Sequence, residues 1–222
     1  MDEKIPLRLV ATASLVGSAE RMLDVGCGED GALFPMVQDR FRELYGLDRY
    51  DIAVPSGGRV IAKKCDLDRE PFPFKDSFFD RVACADVIEH VRDPLLLMTE
   101  CFRVLKPGGG VVVTTPNVRF YPHLLELALR GRFPKTSNDP REYDGGHLHF
   151  FTFKDVRQLL ERAGFQAIEE YGLYRWEALS GLARYKDRIK ALMGDSLKRE
   201  FFSGGVVARA WKAPAHNIGP ML

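Results

Sequence analysis

The sequence lacks an excess of charge of either sign, a cysteine framework and any long apolar run. With 32 basic against 31 acidic residues, the net charge of +1 gives no general attraction to nucleic acid or to acidic membranes. The four cysteines are scattered and form no CxxC pair, which argues against disulfides or a cysteine metal site and favours a reducing cytosol. Arg8, Thr12 and Ser14 interrupt the apolar segment 7–19, which is too short and too polar to span a membrane. We therefore expect a cytoplasmic protein without a targeting signal, membrane insertion or specific nucleic-acid binding.

The order of the secondary structure predicts an α/β fold. A length of 222 residues with 45% hydrophobic content suits one globular domain, with or without insertions. Strands alternate with turns and helices as far as Pro116, which is typical of a parallel sheet with helices on both faces. The predicted strands are 22–25, 42–47, 59–64, 79–85, 111–115, 166–174 and 206–211.

Capping signals mark two of the predicted helices. Asp93, followed by proline, is a good N-cap, and Thr152 with Asp155 forms a capping box before a helix that stops at Gly164. Residues 131–146 are polar and contain several prolines and glycines, as in a lid or a binding loop. The other predicted helices are 7–20, 32–40, 119–130 and a basic segment, 179–198.

A glycine-rich turn after the first strand carries the main functional signal. Residues 21–31 read Arg-Met-Leu-Asp-Val-Gly-Cys-Gly-Glu-Asp-Gly, so a short apolar strand runs into glycines that let a ligand approach the backbone. Gly26, Gly28 and Gly31 also spell the GxGxxG dinucleotide pattern, and Asp48 follows the second strand at about the expected distance. On these residues alone, the turn predicts a nucleotide-like ligand and leaves a nicotinamide cofactor and a methyl donor both open.

Further segments extend this pattern along most of the chain. They are Leu23-Asp-Val-Gly-Cys-Gly28, Gly46-Leu-Asp48, Cys65-Asp-Leu67, Ala85-Asp-Val-Ile-Glu-His-Val91, Arg103-Val-Leu-Lys-Pro-Gly-Gly109, Thr115-Pro-Asn117 and His147-Leu-His-Phe-Phe-Thr152. In this order they resemble the class I S-adenosylmethionine-dependent methyltransferases of the type 11/23 branch, from about Leu23 to Ala210. The resemblance implies a Rossmann-like, doubly wound sheet of seven strands, mostly parallel, with one antiparallel strand near the C-terminus.

The same resemblance implies that the cofactor is S-adenosylmethionine. Asp24 stands where these methyltransferases place an acid near the amino acid end of the ligand, whereas a carboxylate there would repel the pyrophosphate of a nicotinamide cofactor. Asp30 stands where the family commonly has glycine, which makes Gly31 a weaker candidate than the two glycines before it. The expected contacts are Gly26, Cys27 and Gly28 with the methionine and ribose, Asp48 with the ribose hydroxyls, and Asp66 and Leu67 with the adenine. Arg49, Ala85, Asp86 and His90 complete the expected cofactor site.

The run from Asp86 to His90 raises the question of a metal. It is similar to the E-x-x-E-H run of ubiquinone-biosynthesis O-methyltransferases and small-RNA 2′-O-methyltransferases, which binds a divalent ion together with a later histidine. By that resemblance the candidate ligands are Asp86, Glu89, His90 and His147. We do not favour a metal, because Asp86 is one methylene shorter than the glutamate of those relatives and many relatives with Glu-His at this place need none. If a base assists catalysis, we expect it to be His149 or His147.

The resemblance implies in-line transfer of a methyl group to a small-molecule acceptor, at oxygen rather than nitrogen. A protein that binds S-adenosylmethionine without catalysis, as a regulator or a partner subunit, is the alternative hypothesis, since the cofactor motifs fit both. We expect a single domain over residues 1–222, with insertions covering the acceptor side at about 117–151 and 175–200. Phe120, Tyr121 and Trp176 are interpreted as core residues rather than as an acceptor pocket. The pattern predicts no particular oligomeric state.

Overall fold

A seven-stranded sheet forms the centre of the fold. The computed structural model describes residues 6–53, 60–137, 143–174 and 194–215. The strands are β1 (Ala19–Val25), β2 (Phe41–Asp48), β3 (Val60–Lys64), β4 (Phe79–Ala85), β5 (Leu105–Pro116), β6 (Gln166–Tyr174) and β7 (Ser203–Trp211). They lie in the order β3-β2-β1-β4-β5-β7-β6, and β7 is antiparallel to both of its neighbours while the other pairs are parallel. The predicted fold class is confirmed.

Helices cover both faces of the sheet. They are α1 (Leu7–Leu15), α2 (Phe34–Val37), α3 (Pro94–Val104), α4 (Tyr121–Arg130), α5 (Phe153–Arg162) and α6 (Asp195–Phe202). Because successive strand residues point to opposite faces, Leu23 and Val25 pack in the core layer that contains α3 and α5, and Met22 packs in the layer that contains α1. Within the described parts of the chain, no helix combines the length and the apolarity needed to cross a membrane.

Both capping predictions are confirmed. The Asp93 side chain accepts hydrogen bonds from the N–H groups of Leu95 and Leu96, each at 3.0 Å, and so satisfies two donors at the start of α3. Thr152 and Asp155 form the complete capping box of α5.

Other helix predictions differ from the structure. Helix α1 ends at Leu15, well before the predicted end, because Gly17 takes a left-handed conformation with φ of +76° and the chain then enters β1. The predicted helix 32–40 is reduced to α2 and one 3-10 turn, which agrees with the limit expected from Pro35. Most of the predicted basic helix, and Trp176 with it, lies in 175–193, outside the described residues.

The strand order creates a crevice at the carboxyl ends of β1 and β4. The chain leaves β1 toward β2 and β3, and then returns to form β4 on the other side of β1. Ligands of doubly wound sheets bind at such a switch point, where neighbouring connections leave in opposite directions. The predicted cofactor residues that follow β1, β2 and β4 therefore lie along one edge of the sheet.

Replacing Gly26 by alanine is expected to destabilise the protein more than the same change at Gly108. Both glycines have left-handed φ angles, +69° and +77°, which cost an L-residue about 1–2 kcal/mol. A Cβ atom on Gly26 would lie 2.4 Å from Cγ2 of Val87, whereas one on Gly108 would meet nothing within 4 Å. We expect Gly26→Ala to cost about 1–3 kcal/mol more in the free energy of unfolding, from overpacking, as measured by urea denaturation.

The contribution of the clash can be isolated with Val87→Ala. In a double-mutant cycle, removing the Val87 methyl groups should recover part of the extra loss caused by Gly26→Ala. Equal losses for Gly26→Ala and Gly108→Ala would show that backbone strain alone explains the need for glycine at position 26.

Candidate active site

The glycine turn after β1 is hydrogen-bonded to the end of β2. The N–H groups of Gly26 and Cys27 donate to the carbonyl of Leu47 at 2.8 and 3.2 Å. The N–H of Gly28 donates to Oδ2 of Asp48 at 2.8 Å. These three bonds hold the backbone of the turn in one conformation across the end of the sheet. A backbone that contacts a ligand, as the sequence motif predicts, needs such a fixed conformation.

Asp48 is largely buried, with 8% of its surface exposed, and its carboxylate holds backbone groups. Besides the bond from Gly28, Oδ1 accepts a hydrogen bond from the N–H of Tyr50 at 3.1 Å. The Cζ atom of Arg49 lies 4.8 Å from the centroid of the Tyr50 ring. Within the described residues, Arg49 forms no ion pair with Asp48. Because a carboxylate offers about four acceptor positions, two remain for ligand hydroxyls.

Asp24 lies beneath the turn with 3% of its surface exposed. Burial, reinforced by the negative charge of Asp48, raises the pKa of Asp24 to about 8. Burial also raises the pKa of the Cys27 thiol, which therefore stays neutral at physiological pH and is no nucleophile. A cationic group bound beside Asp24 would favour the ionised carboxylate, as expected for the ammonium end of the predicted ligand.

Asp66 and Leu67 lie in the turn that follows β3. The Cys65 N–H donates to the Asp48 carbonyl at 2.8 Å, which ties this turn to the same edge of the sheet. The Asp66 side chain is 44% exposed, pairs with Arg69 at 3.6 Å and accepts a hydrogen bond from the N–H of Asp68 at 3.1 Å. Leu67 packs against the larger core layer. The pair thus lies at the outer end of the crevice.

Asp86, directly after Ala85 at the end of β4, has a left-handed backbone with φ of +55°. The Thr114 hydroxyl donates to Oδ1 of Asp86 at 2.6 Å, and the Asp86 N–H donates to the Thr114 carbonyl at 3.0 Å. The Nε atom of Arg8, from α1, lies 3.0 Å from Oδ2 of Asp86. The contacts of Asp86 with Thr114 and Arg8 therefore fix its carboxylate between β5 and α1.

A cleft of about 470 Å³ opens beside Asp86 on the side of β5, a volume typical of small-molecule sites. The start of α1, the ends of β4 and β5, the start of α4 and parts of the segment 136–147 surround it. Its ionisable lining residues are Arg8, Asp86, His90, His123 and His147. Phe120 lines the cleft as well as being mostly buried, so its interpretation as a core residue was incomplete. The described part of the predicted insertion 117–151 thus contributes to this cleft.

Three of the four predicted metal-ligand candidates lie together. One ligand atom each from Glu89, His90 and His147 lies within 4.8 Å of the others. Asp86 is not in this group, because Arg8 and Thr114 hold its carboxylate.

The Glu89 carboxyl is the buried member of this cluster, with 1% of the residue exposed. Oε2 accepts a hydrogen bond from the Thr115 hydroxyl at 3.0 Å, whereas Oε1 has no hydrogen-bond partner among the described residues. Burial, together with the charge of Asp86, raises the pKa of Glu89. An orphaned buried carboxylate oxygen beside two imidazoles fits a divalent cation, since these are suitable ligand types for such an ion.

The two histidines predicted as bases differ in position. His147 lines the cleft, with Nδ1 at 2.6 Å from the Thr136 hydroxyl and its ring 4.6 Å from that of His90. The structure does not bring His149 into the cleft lining: its Nε2 lies 3.3 Å from the Arg92 carbonyl.

The sequence analysis missed Arg8 and His123. Arg8 is far from Asp86 in the chain, and only the packing of α1 against the sheet brings the two together. The available signal for His123 was its place in the helix that follows Thr115-Pro-Asn117, a segment already assigned to the family pattern.

Comparison with known proteins settles the family. The sequence profile of a methyltransferase domain family matches residues 2–170. The chain belongs to this methyltransferase family. The predicted class I, type 11/23 relationship is thereby confirmed, with S-adenosylmethionine as the cofactor, and the nicotinamide alternative is set aside.

Two curated sequences illustrate where this chain lies within its family. It is 33% identical over 165 residues to a probable S-adenosylmethionine-dependent methyltransferase of Mycolicibacterium smegmatis, covering 72% of this chain and 58% of that one. It is 30% identical over 166 residues to a ubiquinone biosynthesis O-methyltransferase of Dinoroseobacter shibae, covering 69% of this chain and 62% of that one. The chain thus spans about three fifths of the length of these relatives.

A solved structure gives the same fold. The methyltransferase superposes on a SAM-dependent methyltransferase from Archaeoglobus fulgidus with a TM-score of 0.62 and 18% identity, over 92% of this chain and 94% of that one. At this identity the likeness concerns the fold alone.

Asp24 makes the stability of the protein dependent on pH. The folded protein keeps the Asp24 proton up to about pH 8, whereas an unfolded aspartate loses it near pH 4. Unfolding therefore releases a proton in this window, and the Asp24 contribution to stability falls as the pH rises from about 4 to about 8. Asp24→Asn should remove this slope and raise the free energy of unfolding at pH 8.5 by an amount on the order of a few kcal/mol.

Urea denaturation of the free protein between pH 5 and pH 9 measures this slope. Asp51→Asn is the matched control, because the Asp51 side chain is 92% exposed and pairs only at 3.3 Å with Lys64. A pH dependence that Asp24→Asn leaves unchanged would contradict the assignment.

Proposed function

We propose that this methyltransferase moves the methyl group of S-adenosylmethionine to an oxygen atom of a small-molecule acceptor. One observation carries the proposal: Asp86, which lines the 470 Å³ cleft, directly follows β4, the strand that pairs with the strand leading into the glycine turn. A donor bound over β1 and β2 and an acceptor bound beyond β4 would therefore meet at the end of β4. This arrangement supports direct, in-line displacement between two bound molecules.

The cofactor contacts follow from the crevice. The turn Gly26-Cys27-Gly28 would pass beneath the methionine and ribose, and the ionised Asp24 would pair with the ammonium group. Asp48 would accept the ribose hydroxyls with the two acceptor positions that the backbone leaves. Asp66 and Leu67 would contact the adenine at the outer end. Arg49, Ala85 and His90 complete the proposed site.

The choice of oxygen rests on relatives and on chemistry. Several curated relatives are named ubiquinone biosynthesis O-methyltransferases, which supports an oxygen acceptor without identifying it. The methyl group leaves a sulfonium, so alignment of the reactants can supply about 7–11 kcal/mol of the barrier reduction. A general base typically adds about 10²- to 10⁴-fold, which matters for a hydroxyl that must lose its proton. Of the two histidines that the sequence offers as a base, His147 lies on the cleft wall, whereas His149 lies against the Arg92 carbonyl outside the cleft lining.

A cation site is a second proposal, favoured by the orphaned oxygen of Glu89. Glu89, His90 and His147 would hold a divalent ion at the cleft wall, without Asp86. Such an ion would stabilise negative charge on an acceptor oxygen.

Asp48→Asn is expected to weaken S-adenosylmethionine binding by about 1–3 kcal/mol, or about 5- to 150-fold, because a neutral amide replaces an acceptor of two hydroxyls. Calorimetric titration with S-adenosylmethionine and with S-adenosylhomocysteine measures the change. Asp51→Asn, at an exposed position three residues after Asp48, should leave both affinities unchanged. Wild-type protein that binds neither ligand would overturn the proposed cofactor site. Binding without transfer to any acceptor would instead favour the non-catalytic alternative.

His147→Ala is expected to abolish the binding of a divalent cation. The wild-type protein, saturated with S-adenosylhomocysteine, should bind one equivalent of Mn²⁺, Mg²⁺ or Zn²⁺ in a calorimetric titration. His149→Ala is the matched control, because the His149 imidazole faces the Arg92 carbonyl rather than the cluster, and this change should leave cation binding intact. Absence of binding by all three ions, or binding that survives His147→Ala, would reject the cation site.

A further inference from the structure

His123 is a cleft residue whose ring is held in one orientation. It lies in the first turn of α4, and its Nδ1 is 3.2 Å from the main-chain carbonyl of Asn117. A carbonyl can only accept a hydrogen bond, so Nδ1 must carry the hydrogen. In the neutral imidazole Nε2 is then the basic nitrogen. This is the tautomer that a general base acting through Nε2 requires.

Asn117 is itself immobilised, so its carbonyl can orient the imidazole. The residue is completely buried, and its side-chain amide donates to the carbonyls of Glu200 and Ser203, both at 2.9 Å. Its Oδ1 accepts a hydrogen bond from the N–H of Arg119 at 3.0 Å. These bonds connect the end of β5 to the chain that enters β7, and fix the main chain from which the carbonyl points at His123.

An aromatic ring supports the imidazole from a second direction. Phe120 meets the His123 ring edge to face, with centroids 5.5 Å apart and planes at 90°. Phe120 also lines the cleft. An acceptor in the cleft would thus contact an apolar ring beside an oriented imidazole.

The other histidines of this region have different surroundings. His90 and His147 contact each other and form one cluster with the buried Glu89 carboxyl. His149 faces the Arg92 carbonyl instead of the cleft.

We propose that His123, oriented by the Asn117 carbonyl, is the general base of this methyltransferase for a hydroxyl acceptor of phenol or enol type. The inference rests on the proposed function. As the acceptor oxygen attacks the methyl carbon, the carbon–sulfur bond breaks and its electron pair stays on sulfur. The acceptor proton passes to Nε2 of His123 and then to solvent. The products are the methyl ether, S-adenosylhomocysteine and one proton.

Several ionisable groups share the described cleft with His123. They are Arg8 from α1, Asp86 and His90 after β4, and His147 before α5, and Arg8 forms an ion pair with Asp86. Because only a neutral imidazole can accept the acceptor proton, we expect kcat to fall at acidic pH.

The proposal is tested by comparing His123→Asn with the wild-type protein in a methyl-transfer assay. The assay uses S-adenosylmethionine with a radiolabelled methyl group, and catechol or 3,4-dihydroxybenzoate as the acceptor, between pH 5.5 and 9. We expect kcat to fall by about 10²-fold or more, the KM for S-adenosylmethionine to stay within about threefold, and the acidic limb of the kcat profile to disappear. Added imidazole should restore part of the activity of His123→Ala. Glu126→Gln, which removes an exposed pair with Arg130 on the same helix, is the control for a general disturbance of α4.

Each outcome separates this inference from the proposed function. Transfer to a phenol that His123→Asn leaves intact would overturn the role of His123 and leave O-methyl transfer standing. A loss of activity that retains the acidic limb, and that imidazole does not rescue, would reduce His123 to a structural residue. Wild-type protein that binds S-adenosylmethionine and methylates neither phenol would overturn the phenol acceptor, and the base role with it.

Discussion

The bonds between the glycine turn and the end of β2 constrain the whole cofactor side of the protein. Three successive N–H groups, from Gly26 to Gly28, donate to Leu47 and Asp48. Because parallel strands end at the same edge, this one set of bonds aligns the turn, the Asp48 carboxylate and the buried Asp24. The turn also requires glycine at position 26, because its backbone is left-handed and packs against Val87. The residue types after β1 and after β4 therefore depend on each other.

Acidic residues placed side by side give this edge of the sheet its electrostatic character. Asp24 lies near Asp48 at the ends of β1 and β2, and Asp86 lies near Glu89 after β4. In each pair, burial and the neighbouring charge raise the pKa of one carboxyl, Asp24 or Glu89, and so disfavour its ionised form. Among the described residues, the second pair has a counter-charge in contact with it, Arg8 on Asp86. Two neighbouring carboxyl groups, one of them with a raised pKa, destabilise the fold but suit a cationic ligand. Such groups are typical of binding sites rather than of a structural core.

Most of the fold could be predicted from the sequence, because local patterns determine it. Alternating apolar strands, the Asp93 cap and the Thr152 capping box specify their own segments, and the motif order specifies the sheet. The acceptor cleft was less predictable, since its residues come from distant segments that only tertiary packing unites. Arg8 was therefore not predicted as a site residue. Its contact with Asp86 explains why Asp86 does not belong to the cluster of Glu89, His90 and His147. His123 was missed because its function depends on the direction of one backbone carbonyl, which no residue pattern encodes.

The position of β7 has a consequence for the order in which the protein is assembled. It is the last strand of the described residues, yet it lies between β5 and β6, so β6 has no place in the sheet until β7 has been synthesised. The Asn117 amide likewise donates to the carbonyls of Glu200, just before that strand, and of Ser203, its first residue. The cofactor crevice uses strands β1, β2 and β4, all complete by Ala85. A nascent chain can thus form the crevice at the glycine turn early, while the cleft beside β5 waits for the long-range pairing of β7.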